Sequence, residues 1–437
     1  MNRKLNKINF RILSALRGER ILKHMNTIPP ITIFEKNKRT RYQIELINRV
    51  LRKSEHIDFY KKKYREIFRD NYWEIHNLED FSRLPLLEKN ELRMWSKNFR
   101  PMNTFPVKTS GTIGTPLRIQ KSSLSLSVKR AIQRRLYYYW YGIELGDREA
   151  RFFGVPLNRL NKYKTKIIDT LIGRLRFSAF NIEDKSKIEC YAVELHKFKP
   201  DYIYGYPSLI EKVGKKAEEL NIVTPVKAVI ITAEQTDKKQ VERISKIFKS
   251  PVAVEYGCAE VGIIAFSCPY GTMHVIEDAV FTEVIDEDGK SINKGRGIIS
   301  ITDMYEYKQP LIRYTMDDIA TIEYKECNCG ISGRVLTNII GRAADYFTSK
   351  DKAKSHILAL AYAMYDFADR GLKKFKFIDR KDNTLELLVE TNMSNKISEQ
   401  ELKRAVKKIG PDLNVDIKFV DHIPPSKSGK FSYFEKE

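Results

Sequence analysis

Over the first 95 residues apolar positions recur every three or four places. In RYQIELINRVLRKS, residues 41–54, Leu46, Ile47, Val50 and Leu51 mark one face of a helix, and the periodicity breaks at the loop around RLPLLEKNEL. The spacing predicts a helical lead-in. Further along, the serines of SSLSLSVKRAIQRRLYYYWYGIELGDR cap a helix that carries Leu136, Tyr137 and Trp140 and ends near Gly142. PDYIYGYPSLIEKVGKKAEELNI reads as strand, turn and helix, and the continuous apolar run in VKAVIITAEQ as a buried strand. TDKKQVERISKIF supplies a helix and PVAVEYGCAEVG another strand with a turn. Strands alternating with helices predict an α/β domain with parallel or mixed sheet.

The texture changes between residues 275 and 340. VIEDAVFTEVIDEDGKSI, GIISITDM and IRYTMDDIATIEY are strands separated by Gly and Asp turns, the pattern of a meander. Beyond IIGRAADYF the chain restarts with a hairpin in KKFKFIDRKDNTLELLVET, a capped amphipathic helix in SEQELKRAVKKI and a strand in VDIKFVDHI. The expected organisation is a lead-in over residues 1–95 belonging to a large domain, the body of that domain over 96–344, and a small mobile α+β domain over 345–437.

Charge adds a bias toward anionic partners, since 78 Lys and Arg against 56 acids give a formal charge of +22. The basic residues are spread along the chain and no nucleic-acid reading motif accompanies them, so no specific nucleic-acid partner is expected. No apolar run is long enough for a transmembrane segment, and the basic residues scattered through the N-terminal stretch break up any secretory signal, so a cytoplasmic protein is expected. The five cysteines, an odd number in such a chain, argue against disulfides.

KTSGTIGTPLRIQK, residues 108–121, raises the question of phosphate binding. It is no Walker loop: Gly114 is followed by Thr115 and Pro116 rather than Lys and Ser/Thr, and PLRIQ alternates like a strand. A loop between strands whose amides and hydroxyls wrap a phosphate and a plain Gly-Thr surface turn both remain open from these residues alone.

Other segments bear on that choice. TSGTIGTP, YGCAE at 256–260, RYTMDDIA, IIGRAADYF and PPSKSGKF occur in the order of five signatures of the adenylate-forming enzymes, which the chain resembles. YGYPSLIEKV, VKAVIITAEQ, GTMHVIEDAVFTEVID and QPLIRY are similar to segments of the phenylacetate–CoA ligase family, particularly the branch associated with capsular polysaccharide biosynthesis. The resemblance covers residues 95–437 and implies an ATP- and Mg²⁺-dependent ligase. It would activate a small-molecule carboxylic acid as an acyl-adenylate and pass it to CoA or to an amine or hydroxyl of an anionic or glycan precursor. It also implies roles. Thr109, Ser110, Gly111, Thr112 and Gly114 would hold the β- and γ-phosphates, Ala233 and Glu234 would lie by the adenine, and Tyr256 would stack on it beside Gly257. Glu260 would bind Mg²⁺, a hard cation that prefers oxygen, Asp318 and Arg342 would hold the ribose, and Lys430 would reach the α-phosphate. Three positions depart from the family pattern: Thr115 stands where lysine is common, Ala259 where threonine is usual, and Asp317 where glycine is usual. TSKDKAKSHILAL lacks the glycine-containing turn of CoA-using relatives.

The aromatic segments LYYYWYG and YGYPS are expected to line the acyl pocket through Tyr137, Trp140, Tyr204, Gly205 and Tyr206, with Cys258 as a wall residue. Separately, Cys268 and His274 share one loop and Cys327 and Cys329 another, a donor set that suits structural Zn²⁺ although the spacings are looser than Cys-x-x-Cys. The contrasting expectation is an adenylating scaffold that has lost catalysis and binds an anionic glycan or nucleic acid, which the presence of Glu260, Asp318 and Lys430 opposes.

Overall fold

The computed structural model describes residues 3–30, 35–68, 73–108, 117–153, 159–179, 184–234, 236–286, 288–340, 346–348, 354–356, 360, 364, 367, 370–380, 384–391, 397–408, 413–424 and 434–436. The chain divides into two compact units, the first holding the described residues up to Ile339 and the second those from Ile340 onward.

The first unit opens with six helices, α1 (Arg3–Leu16), α2 (Ile21–Thr27), α3 (Lys36–Ser54), α4 (Asp58–Phe68), α5 (Leu78–Ser82) and α6 (Lys89–Ser96). A hairpin of β1 (Thr104–Lys108) and β2 (Arg118–Ser122) follows, so the hydroxyl-rich stretch joins two antiparallel strands. Next come α7 (Ser123–Tyr141), β3 (Glu149–Phe153), α8 (Arg159–Leu171), β4 (Arg174–Ser178), α9 (Lys185–Phe198), β5 (Tyr202–Gly205), α10 (Pro207–Glu219), β6 (Val229–Thr232), α11 (Lys238–Phe248) and β7 (Val252–Cys258). The remaining strands are β8 (Gly262–Ser267), β9 (Met273–Val275), β10 (Val280–Ile285), β11 (Ser291–Ile292), β12 (Gly295–Asp303), β13 (Tyr314–Glu326) and β14 (Ser332–Ile340).

Among the described residues, twelve strands form one sheet in the order β11-β10-β12-β13-β14-β9-β8-β7-β6-β5-β3-β4. The run from β4 through β3, β5 and β6 to β7 is parallel, because a helix returns the chain between strands. The meander expected over 275–340 is there, but it extends this sheet rather than forming one of its own. Both faces of the parallel half are covered, which is why VIIT in β6 is buried throughout: Val229 and Ile231 belong to the core shared with α9, α10 and α11, while Ile230 belongs to the core shared with α3, α4 and α7. Ser122 caps α7 by accepting from the Ser125 amide, and the helix ends at Gly142, as its sequence predicts. Leu46, Ile47, Val50 and Leu51 of α3 are fully buried, so the lead-in contributes to the main core.

The second unit contains a hairpin of β15 (Tyr346–Thr348) and β16 (Lys354–His356) and a four-stranded sheet in the order β19-β18-β17-β20. Here β17 (Leu372–Asp379) and β18 (Leu385–Thr391) form the expected hairpin, and β19 (Val415–Phe419) joins β18 in parallel. Helix α12 (Glu399–Lys407) carries a capping box in which Ser398 and Glu401 satisfy each other's backbone amides. Strand β20 (Phe434–Lys436), parallel to β17, was not anticipated, since three residues carry too little periodicity to announce a strand.

Candidate functional site

Strand β6 ends beside β7, with Thr232 paired to Glu255, and the described residues expected around adenine and ribose gather just beyond. Ala233 adopts φ 69°, a left-handed conformation that costs a non-glycine residue about 1 kcal/mol. The Glu234 carboxylate accepts from the Ser208 amide (3.0 Å) and hydroxyl (2.9 Å), which ties it to the first turn of α10. The Tyr256 hydroxyl donates to Asp318 Oδ2 at 2.6 Å, and the Tyr314 hydroxyl donates to Glu260 Oε1 at 3.2 Å. Burial, followed by the negative charge of Asp318, pushes the Tyr256 phenol well above its ordinary range, so it donates at all working pH values.

Strand β13 supplies both Tyr314 and Asp318 yet is four strands from β7 in sheet order, about 19 Å away in a flat sheet. Direct hydrogen bonds over that separation require the sheet to curl, and the curl brings Tyr256, Glu260, Tyr314 and Asp318 together at the carboxyl ends of the parallel strands. Open α/β sheets bind ligands at such ends. Thr109, Ser110, Gly111, Thr112, Gly114, Arg342 and Lys430 lie outside the described residues.

Two of the proposed site glycines have a reason in the backbone itself. A Cβ on Gly205 would stand 2.0 Å from the Phe152 carbonyl oxygen and one on Gly257 would stand 2.3 Å from that of Gly262. Close strand approach demands glycine at both places.

The expected pocket aromatics converge on a carboxylate that the sequence reading passed over. Glu255, buried in β7, accepts from the Tyr137 hydroxyl (2.7 Å), the Gln133 amide (2.6 Å) and the Tyr204 hydroxyl (2.9 Å). Tyr204 stacks on Phe153, with Arg151 over its ring, and Tyr206 packs on the same Phe153. Trp140 turns elsewhere: it stacks on Phe266 and lies 5.6 Å from the His274 ring. Cys258, half-buried at the end of β7, packs with the main core, and burial raises its thiol. The position of Glu255 directly before the Tyr-Gly pair was the available signal.

A second missed group lies beneath the Glu260 turn. Lys121 of β2 and Lys129 of α7, both buried, share Asp303 Oδ2 at 2.9 and 2.5 Å, Ser125 donates to the same oxygen, and Lys129 also donates to the Val261 carbonyl. Burial opposes ionisation of Asp303, but the two ammonium groups hold its carboxyl well below the ordinary range. Glu306 also acts on Lys121, whereas burial pushes Lys129 down to about 8 despite Asp303, with the like charge of Lys121 acting in the same sense. These residues come from three distant segments, and nothing in their local sequence signals the pairing.

Cys268, His274, Cys327 and Cys329 do come together, with all four ligand atoms within 4.8 Å of one another. Cys268 opens the β8–β9 turn and His274 sits on β9, while Cys327 and Cys329 occupy the β13–β14 turn; Val335 of β14 pairs with His274, so β14 lies beside β9. Cys268 and Cys327 sulfurs are 3.8 Å apart, and Cys329 Sγ is 3.3 Å from His274 Nε2. Thiolates held tetrahedrally at about 2.3 Å from zinc are about 3.8 Å apart, whereas a disulfide needs about 2.05 Å. Burial lowers the His274 imidazole to about 4, which keeps it in the neutral, metal-binding form, and its Nδ1 is buried without a partner. The donor set therefore fits zinc. No helix among the described residues is long and apolar enough to cross a membrane.

Residues 347–437 match the CapK C-terminal domain. The sequence is 24% identical to Protein CapK of Staphylococcus aureus over 434 residues, 91% of this chain and 93% of that one. It is 23% identical to phenylacetate-coenzyme A ligase of Thermus thermophilus over 322 residues, 67% of each chain. Among solved structures, 2-hydroxyisobutyryl-CoA ligase in its postadenylation state matches with a TM-score of 0.73 at 19% identity, over 94% of both chains. The chain is a homologue of CapK and of phenylacetate-coenzyme A ligase, and it has the fold of the adenylate-forming acyl-CoA ligases.

Proposed function

We propose that this protein is an ATP-dependent ligase that activates a carboxylic acid as its acyl-adenylate and transfers the acyl group to an acceptor. The observation that carries this reading is the convergence of Tyr256, Asp318 and Glu260 beside the left-handed Ala233 at the ends of β6 and β7. In the reaction a carboxylate oxygen of the acid attacks the α-phosphorus of ATP, the bond to the bridging oxygen breaks, and pyrophosphate leaves with that electron pair. The protein aligns two anions and offsets the charge that builds on the phosphate.

Asp318 accepts from the ribose hydroxyls, joined by Arg342. Tyr256 is fixed by its bond to Asp318, so its ring is already oriented for the adenine. Glu260, held by Tyr314, would be the carboxylate that holds Mg²⁺, a hard cation that takes oxygen ligands. The metal supplies charge neutralisation on the phosphates. Thr109 to Gly114 hold the phosphate tail, and Lys430 stabilises charge at the α-phosphate. Glu255 with Tyr137 and Tyr204 forms a polar floor for the acid, which favours an acid bearing a hydrogen-bonding group over a purely aliphatic one. Structural zinc at Cys268, His274, Cys327 and Cys329 pins two hairpin turns.

CoA as acceptor is supported by the CoA ligases among the relatives; an amine or hydroxyl of a surface-polysaccharide precursor is the other acceptor class. ATP–pyrophosphate exchange across aryl, amino, hydroxy and sugar acids tests the reading. Exchange with one acid identifies the donor, and adding CoA then separates thioester formation from transfer elsewhere. Silence across the panel with ATP binding intact would replace the ligase by a non-catalytic scaffold.

A further inference from the structure

Helix α1 keeps Phe10 and Leu13 half-buried but carries a further apolar stripe on its outer side. Its buried residues are Asn6 and Ser14, while Leu5, Ile8, Ile12 and Leu16 face outward with 48, 50, 53 and 78% of their surface exposed. Spacing of three and four residues places these four on one stripe. The orientation is held by specific bonds on the polar side: Asn6 Nδ2 donates to the Gly146 carbonyl at 3.1 Å, Asn9 Nδ2 to the Leu171 carbonyl at 2.9 Å, and Arg3 pairs with Asp147 at 2.6 Å. Rotating the helix to bury its apolar side would break all three.

Helix α8, which lies against α1, likewise turns apolar residues outward. Tyr163 and Ile167 are 71 and 62% exposed and Leu171 also reaches the surface, whereas Asp169 is buried between Arg174 and Arg176. Two adjacent helices thus present outward apolar stripes, where a soluble helix would turn such residues into the core.

Charge selects the occupant. Helix α1 carries Arg3, Lys4, Lys7 and Arg11 with no acid, and α8 carries Arg159, Lys162, Lys164 and Lys166 against the single, internally paired Asp169. Arg11, Lys164 and Lys166 are exposed beside the apolar stripes. Leu, Ile and Tyr side chains framed by lysine and arginine match the interface of an anionic bilayer, where apolar groups enter the acyl boundary and cations meet the headgroups. We propose that the α1–α8 face docks this protein peripherally on a membrane rich in anionic lipid. The role is separate from adenylation, since none of these residues belongs to the ATP or acid site.

The test is co-sedimentation of the full chain with vesicles containing phosphatidylglycerol and phosphatidylcholine in equal parts, compared with phosphatidylcholine alone. Binding to the anionic vesicles is expected, about tenfold weaker on neutral ones and similarly weakened at about 0.5 M salt. An Ile8→Glu, Ile12→Glu double variant should lose about tenfold or more in binding while its thermal midpoint and pyrophosphate exchange stay unchanged, because both side chains are already exposed. A Lys164→Glu, Lys166→Glu variant tests the ionic part independently. Equal binding to both vesicle types, or binding indifferent to both variants, would overturn the proposal. So would sedimentation velocity showing a dimer that the Ile8/Ile12 variant dissociates with no vesicle binding by the parent, which would assign the face to a second copy of the chain.

Discussion

Tyr256 and Asp318 are 62 positions apart, yet the tyrosine hydroxyl donates to the aspartate at 2.6 Å. The contact joins the last residues of the parallel half of the sheet to a strand of its antiparallel half. It makes the adenine-side and ribose-side residues one unit, so a change at either should be felt at both.

Replacement of Asp318 by alanine is expected to lower kcat/KM for ATP by about 10- to 100-fold, the loss of charge-assisted hydrogen bonds worth about 1.5–3 kcal/mol. Tyr256→Phe keeps the ring and removes only the donor, so its effect on exchange should be smaller and accompanied by a drop in stability of about 1–2 kcal/mol. Pyrophosphate exchange at varied ATP, paired with urea denaturation, measures both. Equal ATP kinetics in Asp318→Ala would remove it from the nucleotide site.

Glu255 binds three donors, so Glu255→Gln leaves one of them facing an amide that also donates. A destabilisation of about 1–3 kcal/mol is expected. KM for the acid should rise several-fold more than KM for ATP if the Tyr137–Tyr204 floor contacts the acid, and Tyr204→Phe should shift preference among hydroxylated acids. Unchanged selectivity in both variants would make this network purely structural.

Elemental analysis of the purified protein should find about one zinc per chain. Cys327→Ser and Cys329→Ser should each release it and lower stability by about 3 kcal/mol or more, on the order of 4 °C for a unit of this size. Cys190, exposed and far from these loops in sequence, is the control whose replacement by serine should change neither zinc content nor midpoint.

Asp303→Ala strands two buried ammonium groups and should cost about 3–5 kcal/mol. The same pairing sets an acid limit. Because the folded-state pKa of Asp303 is depressed, its stabilisation is fully present above the unfolded value of 3.8 and is lost as pH falls from there toward the folded value. Denaturation midpoints measured downward from pH 5 should fall more steeply in the parent than in Asp303→Asn. Parallel curves would show that another carboxylate dominates acid unfolding.

Much of this protein is written locally. Helix α7 from its serine cap to Gly142, the buried strand VIIT, the capping box of α12 and the β17–β18 hairpin follow from periodicity and from cap and turn chemistry, which act over a few residues. The ordered motifs likewise single out Tyr256, Glu260 and Asp318, and the cysteine and histidine pairs single out a donor set that the fold gathers. What the sequence left open is long-range. Extension of one sheet through the meander, the curl that brings β13 against the end of β7, the registration of two hairpin turns into a four-donor cluster and the choice of Glu255 and Asp303 as hubs all depend on pairings between segments far apart in the chain. The outward apolar face of α1 shows the difference most directly. Its periodicity predicts a helix, but bonds from Asn6 and Asn9 to distant carbonyls decide which side meets the protein, because partners for those amides exist only once the tertiary structure has formed.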